Sequence, residues 1–169
     1  MCRRQARAFT HHGHSSHLTC KYSTVLVNAG KGLFATRAFP KNSWICPYLG
    51  EKTSKDCIQK RYPGDMTAAY AEMLPGPEQL HIDSACKRGV ASLSNGLFNA
   101  NGSVSSLSRH NCVSRYRPVG DGVPGVWLKS TKPLKIGDEI FNWYGDGGYM
   151  LQHNHSTKRR TKAPDTRPC

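Results

Sequence analysis

The sequence predicts a mainly β domain of many short strands with one small helix. Turn residues divide the middle of the 169-residue chain into short segments of β-branched and apolar side chains, a pattern typical of β-rich domains. In addition, helical composition is confined to residues 66–74. The length and the 37% apolar content suffice for one domain with a hydrophobic core.

Turn chemistry sets the boundaries of the predicted elements. Residues 28–32 and 40–42 carry the Gly, Asn and Pro residues of tight turns. Residues 66–74 are predicted to be a helix because Asp65 can cap it, alanines fill it and Pro75-Gly76 ends it. The predicted strands are residues 23–27, 33–36, 43–48, 81–83, 112–117, 125–129 and 139–143.

Positive charge is concentrated at the two ends of the chain. The formal net charge is +13, and residues 1–21 contribute four basic side chains and no acidic ones. Residues 153–169 contribute five basic side chains against Asp165 alone. We therefore predict a flexible, His-rich basic arm at residues 1–21, a folded domain at 22–152 and a basic tail at 153–169. Such ends either contact polyanions such as nucleic acid or are solvated tails.

Neither a membrane segment nor a secretion signal is predicted. No apolar run approaches the roughly 18 residues of a membrane-spanning helix. The segment Met1-Cys2-Arg3-Arg4 is basic but is not followed by the apolar stretch of a signal peptide. An intracellular protein is therefore expected, and basic clusters such as Lys158-Arg159-Arg160 favour the nucleus.

The seven cysteines indicate free thiols rather than disulfides or a zinc site. Their spacing is irregular and contains no Cys-x-x-Cys pair, so no metal is predicted for the domain. Cys46, Cys57, Cys86 and Cys112 lack an orienting motif for a thiol nucleophile with His81 or His110, and inert buried thiols are the better interpretation. Near the N-terminus, four histidines and two cysteines either bind a metal or belong to a flexible end: His11, His12, His14, His17, Cys2 and Cys20.

The segment Gly30-Lys31-Gly32-Leu33-Phe34-Ala35 matches the G-x-G-x-x-A pattern of dinucleotide-binding proteins, with Glu51 downstream. That site requires a helix whose N-terminus faces a pyrophosphate. Here Pro40 follows too soon, and no helical periodicity is present. The pattern therefore predicts close approach of the backbone to a ligand or another strand, and no nicotinamide cofactor.

Several segments, taken in order, resemble the motifs of SET-domain protein lysine methyltransferases. The glycine segment 30–36 is similar to the family's opening motif, and Tyr48-Leu49-Gly50-Glu51 to its Tyr-x-Gly-Glu segment. Residues 82–85 and Gly89 resemble the approach to the asparagine motif. That motif matches residues 95–101, with Asn95 and Asn101 in place but without the family's His, Ser, Cys and Pro. Residues 137–146 resemble the closing Gly-Glu-Glu…Tyr-Gly segment.

The resemblance spans about residues 23–149 and lacks the zinc-binding Cys clusters that flank many members. It implies a SET-like β-clip fold of small curved sheets with one or two short helices and a threaded C-terminal segment. It also implies S-adenosylmethionine as cofactor and transfer of its methyl group to a lysine of a histone or another basic protein. The implied cofactor-binding residues are Gly30, Lys31, Gly32, Leu33, Asn95, Gly96 and Tyr144.

The resemblance also implies the residues around the reacting amine. Tyr144 and Tyr48 are the implied catalytic residues, and the alternative for each is a core tyrosine with a bonded hydroxyl. Tyr48, Asn142 and Trp143 are the implied walls of the substrate channel. Asn142 stands two residues before Tyr144, at the position linked in the family to the number of methyl groups accommodated.

Two other functions stay open at this stage. The altered asparagine motif and Asn142 fit a catalytically weak or inactive SET-like module that binds chromatin or nucleic acid. The +13 charge fits a plain nucleic-acid-binding β domain, although aromatic and basic residues do not alternate on any predicted strand. Four carboxylates form either an acidic strip for a basic peptide or scattered solvated charges: Glu51, Asp83, Asp138 and Glu139.

Overall fold

The computed structural model describes residues 17–23, 30–62, 70–74, 78, 80–97, 107–119 and 123–143. Within these residues there are nine strands in three sheets and one α-helix, α1, at Lys55–Arg61. The strands are β1 Leu18–Tyr22, β2 Lys31–Ala35, β3 Trp44–Pro47, β4 Glu51–Thr53, β5 Ala71–Met73, β6 His81–Asp83, β7 Cys112–Val119, β8 Val123–Ser130 and β9 Asn142–Trp143.

Each sheet is small, as the sequence predicts, and the predicted β-rich class is confirmed. β1 pairs with β2, the four-stranded sheet has the order β3-β8-β7-β9, and the third sheet has the order β4-β6-β5. The pairs are antiparallel except β7 with β9, which is parallel. The core between the sheets contains fully buried Leu33, Leu128, Leu134 and Ile140.

The predicted strands are largely confirmed, but their ends shift, and of residues 139–143 only Asn142–Trp143 form a strand. Residues 81–83 form β6 as predicted, and the hairpin β7–β8 is longer than predicted because its strands pair up to Val119 and Val123. The strand predicted at residues 23–27 is wrong at Ser23, and its remaining residues lie outside the described ones. Instead β1 begins at Leu18, so the end of the predicted basic arm belongs to the folded domain.

The helix predicted at residues 66–74 is wrong where the structure describes it. Residues 71–73 form β5 because they pair with β6, Ala71 opposite Asp83 and Met73 opposite His81. This pairing outweighs the helical preference of alanine and methionine. The observed helix α1 begins after Ser54, whose hydroxyl accepts a hydrogen bond from the Cys57 amide at 3.3 Å. Its seven residues bury only Ile58, which leaves little periodicity to detect.

No helix in the described ranges has the length and apolar character needed to cross a bilayer.

Candidate active site

Three segments that are distant in sequence meet at Glu139. Phe34 of β2 forms an isolated antiparallel bridge with Glu139, and the Ile140 amide donates to the Leu33 carbonyl at 2.7 Å. Asn95 forms a parallel bridge with Phe141. The glycine segment, the asparagine segment and the closing segment therefore lie side by side. The helix that a dinucleotide site requires is absent there, since β2 occupies residues 31–35.

The Glu139 carboxylate joins these segments by side-chain hydrogen bonds. It is buried, and it accepts from the Ser23 hydroxyl at 2.9 Å and from Asn95 Nδ2 at 3.0 Å. Asn95 Nδ2 also donates to the Lys31 carbonyl at 3.3 Å. Gly32 is required beside this carboxylate, because a Cβ there would stand 2.8 Å from Glu139 Cδ and 3.1 Å from Asn95 Nδ2. The predicted close approach of the glycine backbone is confirmed.

Asn111 is a residue of this region that the sequence reasoning missed. Its Nδ2 donates to the Glu139 carbonyl at 2.8 Å, and its Oδ1 accepts from the Phe141 amide at 2.8 Å. One side chain thereby fixes the backbone on both sides of Ile140. Asn101, which the motif match selects instead, lies outside the described residues. The signal for Asn111 was the pair of polar residues directly before β7.

His110, the other member of that pair, is fully buried and accepts a hydrogen bond from the Leu97 amide at 2.9 Å through Nε2. This bond ties the end of the asparagine segment to the start of β7. Since Nε2 is the acceptor, the ring is neutral and its proton is on Nδ1. His110 therefore has a structural role here rather than that of a base for a thiol.

Tyr48 is a buried residue whose hydroxyl donates to the Tyr70 carbonyl at 3.1 Å. The same carbonyl accepts from the Ser84 amide at 2.9 Å, and the Tyr48 amide donates to the Val126 carbonyl at 2.8 Å. These bonds place the ring between the sheet that contains β8 and the sheet that contains β6. Tyr144, the other predicted catalytic residue, lies outside the described residues.

Asn142 is fully buried on β9 and belongs to a short polar chain. Its Nδ2 donates to Ser114 Oγ at 3.1 Å, and that hydroxyl donates to Glu72 Oε1 at 3.0 Å. Its Oδ1 is buried with no hydrogen-bond partner among the described residues. An unsatisfied buried carbonyl costs about 1–3 kcal/mol, so this oxygen is available to a donor that enters from outside the fold.

Trp143 lies opposite Val113 in the β7–β9 pair, whereas Asn142 lies opposite Cys112. Successive residues of a strand point to opposite faces of the sheet. Asn142 and Trp143 therefore do not line the same channel. Asn142 is on the face of Ser114 and Trp143 is on the other face, and the channel roles predicted for them stay predictions.

Burial raises the pKa of the Glu72 carboxyl, which is largely enclosed although the residue as a whole is partly exposed. The folded protein then holds this proton to a higher pH than the unfolded chain, so stability falls as the pH rises from the unfolded pKa through the folded one. We expect Glu72→Gln to be more stable than the wild type at pH 8, with the difference vanishing near pH 4. The gain is about 1.4 kcal/mol per unit of raised pKa.

Urea unfolding at pH 4, 6 and 8 measures this difference, and the exposed Glu78→Gln is the matched control. If Glu72→Gln is more stable than the wild type by the same amount at all three pH values, the raised pKa of Glu72 is contradicted.

The candidate acidic strip is not supported, because its carboxylates are bound within the fold. Arg61 pairs with Glu51 at 3.1 Å and with Asp83 at 3.0 Å. Asp138 accepts from the Lys135 amide at 2.8 Å, and Glu139 is bound as described above. These four groups are therefore not a free acidic surface.

The thiols differ in exposure. Cys46 and Cys112 are fully buried, and burial raises the pKa of both, that of Cys112 to about 12. Both are therefore protonated at neutral pH, and the prediction of inert buried thiols is confirmed for this pair. It is wrong for Cys86, which is exposed, and for Cys57, which is partly exposed. The described residues contain no group of His, Cys, Asp and Glu side chains arranged to hold a metal ion.

Comparison with known proteins identifies the class. The model of the SET domain family matches residues 30–145, well over half of the chain. The chain therefore belongs to the SET domain family. SET methyltransferases use S-adenosylmethionine as the methyl donor. A search of curated proteins finds no significant match.

Solved structures of polycomb repressive complex 2 share the fold. An active complex in its basal state matches with a TM-score of 0.61 and 22% identity, covering 76% of this chain and 15% of that chain. A humanized mutant of the Chaetomium thermophilum complex bound to the inhibitor GSK126 has a TM-score of 0.60 and 20% identity, over 80% and 16% of the two chains. The ctPRC2 complex in an autoinhibited conformation bound to S-adenosylmethionine has a TM-score of 0.61 and 20% identity, over 85% and 17%.

This chain thus spans 15–17% of the length of those chains, and the likeness is one of fold.

The residues around Glu139 fit S-adenosylmethionine, a donor that carries positive sulfonium and ammonium groups. The Glu139 carboxylate has no cation paired with it among the described residues and contributes negative charge to this region. Gly30 has a φ of 71°, and among the described residues no atom lies within 4 Å of the place where its Cβ would stand. Lys31 is exposed beside it.

Proposed function

We propose that this protein is an S-adenosylmethionine-dependent protein-lysine N-methyltransferase that acts on a histone or another basic protein. The observation that carries the proposal is the meeting of Gly32, Asn95 and Glu139 within a SET domain. A ctPRC2 structure in complex with H3K27me3 and H3K27M supports a histone tail as the substrate.

The cofactor is held largely by backbone groups. S-adenosylmethionine, when bound, supplies an activated methyl group on a sulfonium. Residues 30–33 would line one side of it, where Gly32 leaves room for the Glu139 carboxylate. We propose that Asn95, Gly96 and Tyr144 would line the other side. Glu139 acts by charge and by holding Asn95 in place.

The substrate lysine must lose a proton before it can accept a methyl group. A lysine side chain in water has a pKa near ~10.4, so neutralising it at pH 7 costs about 4–5 kcal/mol. Enclosure in a channel disfavours the ammonium form and lowers this cost. We propose that Tyr48 and Tyr144 form the walls, that the Tyr144 hydroxyl faces the amine, and that Asn142 Oδ1 accepts one of the amine N–H groups.

Labelled S-adenosylmethionine, incubated with the full chain and purified histones, tests the proposal. We expect label on lysine, located by mass spectrometry, and a decrease of about 100-fold or more in kcat for Tyr144→Phe. The half-exposed Tyr116→Phe is the matched control and should keep the wild-type rate. Equal rates for the two variants contradict the role of Tyr144, and a folded protein that neither binds the cofactor nor labels lysine contradicts the proposal.

A second candidate is a catalytically weak SET module that binds chromatin or nucleic acid. The buried polar amide of Asn142 in the proposed channel favours it, because a channel that must neutralise an ammonium group is better made of apolar walls. Calorimetry separates the candidates, since a folded protein that binds no S-adenosylmethionine but binds DNA in a salt-dependent way supports the second. For either candidate, basic ends that include Lys158-Arg159-Arg160 support residence in the nucleus and contact with nucleic acid.

A further inference from the structure

One face of the four-stranded sheet carries all three tryptophans of the sequence. Trp44 of β3 is opposite Lys129 of β8, Lys129 is opposite Val113 of β7, and Val113 is opposite Trp143 of β9. Side chains of directly opposite residues lie on the same face. In the next row, Trp127 lies opposite Arg115. We call this the tryptophan face, and it consists of Trp44, Trp127, Trp143, Arg115, Arg117 and Lys129.

Cationic side chains are interleaved with these rings. The Arg117 guanidinium lies 4.7 Å from the centroid of Trp127 and 5.3 Å from that of Trp44. Lys129 Nζ lies 5.0 Å from the Trp44 centroid. The rings of Trp44 and Trp127 are edge to face, with centroids 6.5 Å apart. The result is a surface of alternating aromatic and basic groups.

The three cations of this face have no carboxylate partner in the described part of the chain. Both ion pairs found there involve Arg61, which lies in α1 on a different element. Arg115 is exposed and donates to the neighbouring Ser114 carbonyl, while Arg117 and Lys129 contact the tryptophan rings. Among the described residues the positive charge of the face is therefore uncompensated, and its tryptophans are partly exposed to solvent.

We propose that the tryptophan face binds single-stranded nucleic acid, with bases stacked on the tryptophan rings and phosphates paired with Arg115, Arg117 and Lys129. Aromatic platforms combined with basic side chains bind single strands in this way, because every base has a face that can stack. Uncompensated cations repel a basic peptide and attract a polyanion. Duplex bases are already stacked on one another, so a single strand is the better ligand.

The proposal goes beyond methyl transfer and does not depend on it. Ser114, which contacts Asn142, points to the opposite face of β7 from Arg115. A strand bound to the tryptophan face therefore leaves the candidate active site open. The sequence argued against such a platform because no single strand alternates aromatic and basic residues, but the platform is assembled across β3, β7, β8 and β9.

Fluorescence anisotropy with labelled dT20 and U20 tests the proposal on the full chain, and the two probes distinguish DNA from RNA. We expect the double variant Arg117→Gln/Lys129→Gln to bind at least about tenfold more weakly, with a salt slope shallower by about 1.4. The matched control Lys41→Gln/Lys52→Gln removes the same charge from exposed sites elsewhere and keeps both ends of the chain. It should weaken binding less than about threefold.

Tryptophan emission is an independent measurement, since all three indoles are on this face. Emission should fall when either single strand binds, and a 20-base-pair duplex or a poly-glutamate peptide of equal charge should compete poorly. Three results overturn the proposal: equal losses in the two double variants, unchanged emission on binding, and competition by poly-glutamate as strong as that by dT20. Circular dichroism of the variants checks that they fold. If the double variant Arg117→Gln/Lys129→Gln does not fold, the exposed Arg115→Gln replaces it in the test.

Discussion

Replacing Gly32 by alanine is expected to reduce S-adenosylmethionine affinity by at least about tenfold and methyl transfer with it. The added Cβ would stand 2.8 Å from Glu139 Cδ and 3.1 Å from Asn95 Nδ2, so the carboxylate must move. Its movement breaks the bond between Glu139 and Asn95, which holds two of the three segments of the site together. The free energy of unfolding should fall by about 1–3 kcal/mol from overpacking alone.

Gly137→Ala is the matched control for this variant. Gly137 has a φ of 91°, so alanine is strained there by about 1–2 kcal/mol, but its Cβ would meet no described residue within 4 Å. We expect this variant to lose stability while it keeps cofactor affinity. Calorimetric titration with S-adenosylmethionine compares the two, and equal affinity for both contradicts the role given to Gly32.

Shortening the carboxylate provides a rescue. In the double variant Gly32→Ala/Glu139→Asp, the acidic side chain is one methylene shorter, which leaves space for the new methyl group. We expect part of the stability lost in Gly32→Ala to return, because the two changes act on the same contact and are not additive. Stability measurements alone decide this point, so it can be tested even if the protein transfers no methyl group.

Replacing Arg61 by methionine is expected to destabilise the domain by about 2–4 kcal/mol, a little less than for a fully buried ion pair. Asp83 is 2% exposed and accepts from Arg61, from the Tyr62 hydroxyl at 3.0 Å and from the Ala85 amide at 2.9 Å. Without Arg61, a buried carboxylate keeps two donors but loses its only cation among the described residues. The arginine side chain is 19% exposed, so water replaces part of the lost interaction.

Thermal unfolding measures the effect, which corresponds to a decrease in Tm of roughly 10 °C for a domain of this size. Lys60→Met is the matched control, since Lys60 is an exposed cation in the same last turn of α1. It should change stability by less than about 0.5 kcal/mol. The double variant Arg61→Met/Asp83→Asn should regain part of the loss, because no uncompensated charge is then buried. Equal midpoints for Arg61→Met and Lys60→Met contradict the prediction.

This ion pair also affects the proposed channel. Asp83 is followed by Ser84, whose amide donates to the Tyr70 carbonyl, the same carbonyl that accepts from the Tyr48 hydroxyl. Arg61 and Asp83 therefore hold β6 where it positions Tyr48. A loss of methyl transfer in Arg61→Met beyond the loss of folded protein is the expected consequence.

Local patterns in the sequence were enough to predict the β-rich class, β6 and the main part of the β7–β8 hairpin. The close approach of the glycine segment was also predicted, because such an approach requires residues without a side chain. Gly32 meets that requirement beside Glu139. Errors arose where partners lie far apart in the chain. Residues 71–73 have a helical composition, and only pairing with residues 81–83 makes them a strand.

The order of the glycine, asparagine and closing segments was determined by the sequence, and with it the family. The tertiary structure alone decided that Asn111 fixes the backbone around Ile140, that Asn142 and Trp143 face opposite ways, and that three tryptophans from three strands share one surface. Side-chain alternation within a strand is a local property that the sequence displays. Which strands become neighbours depends on long-range burial and pairing, and those contacts involve residues too far apart for any local pattern to connect.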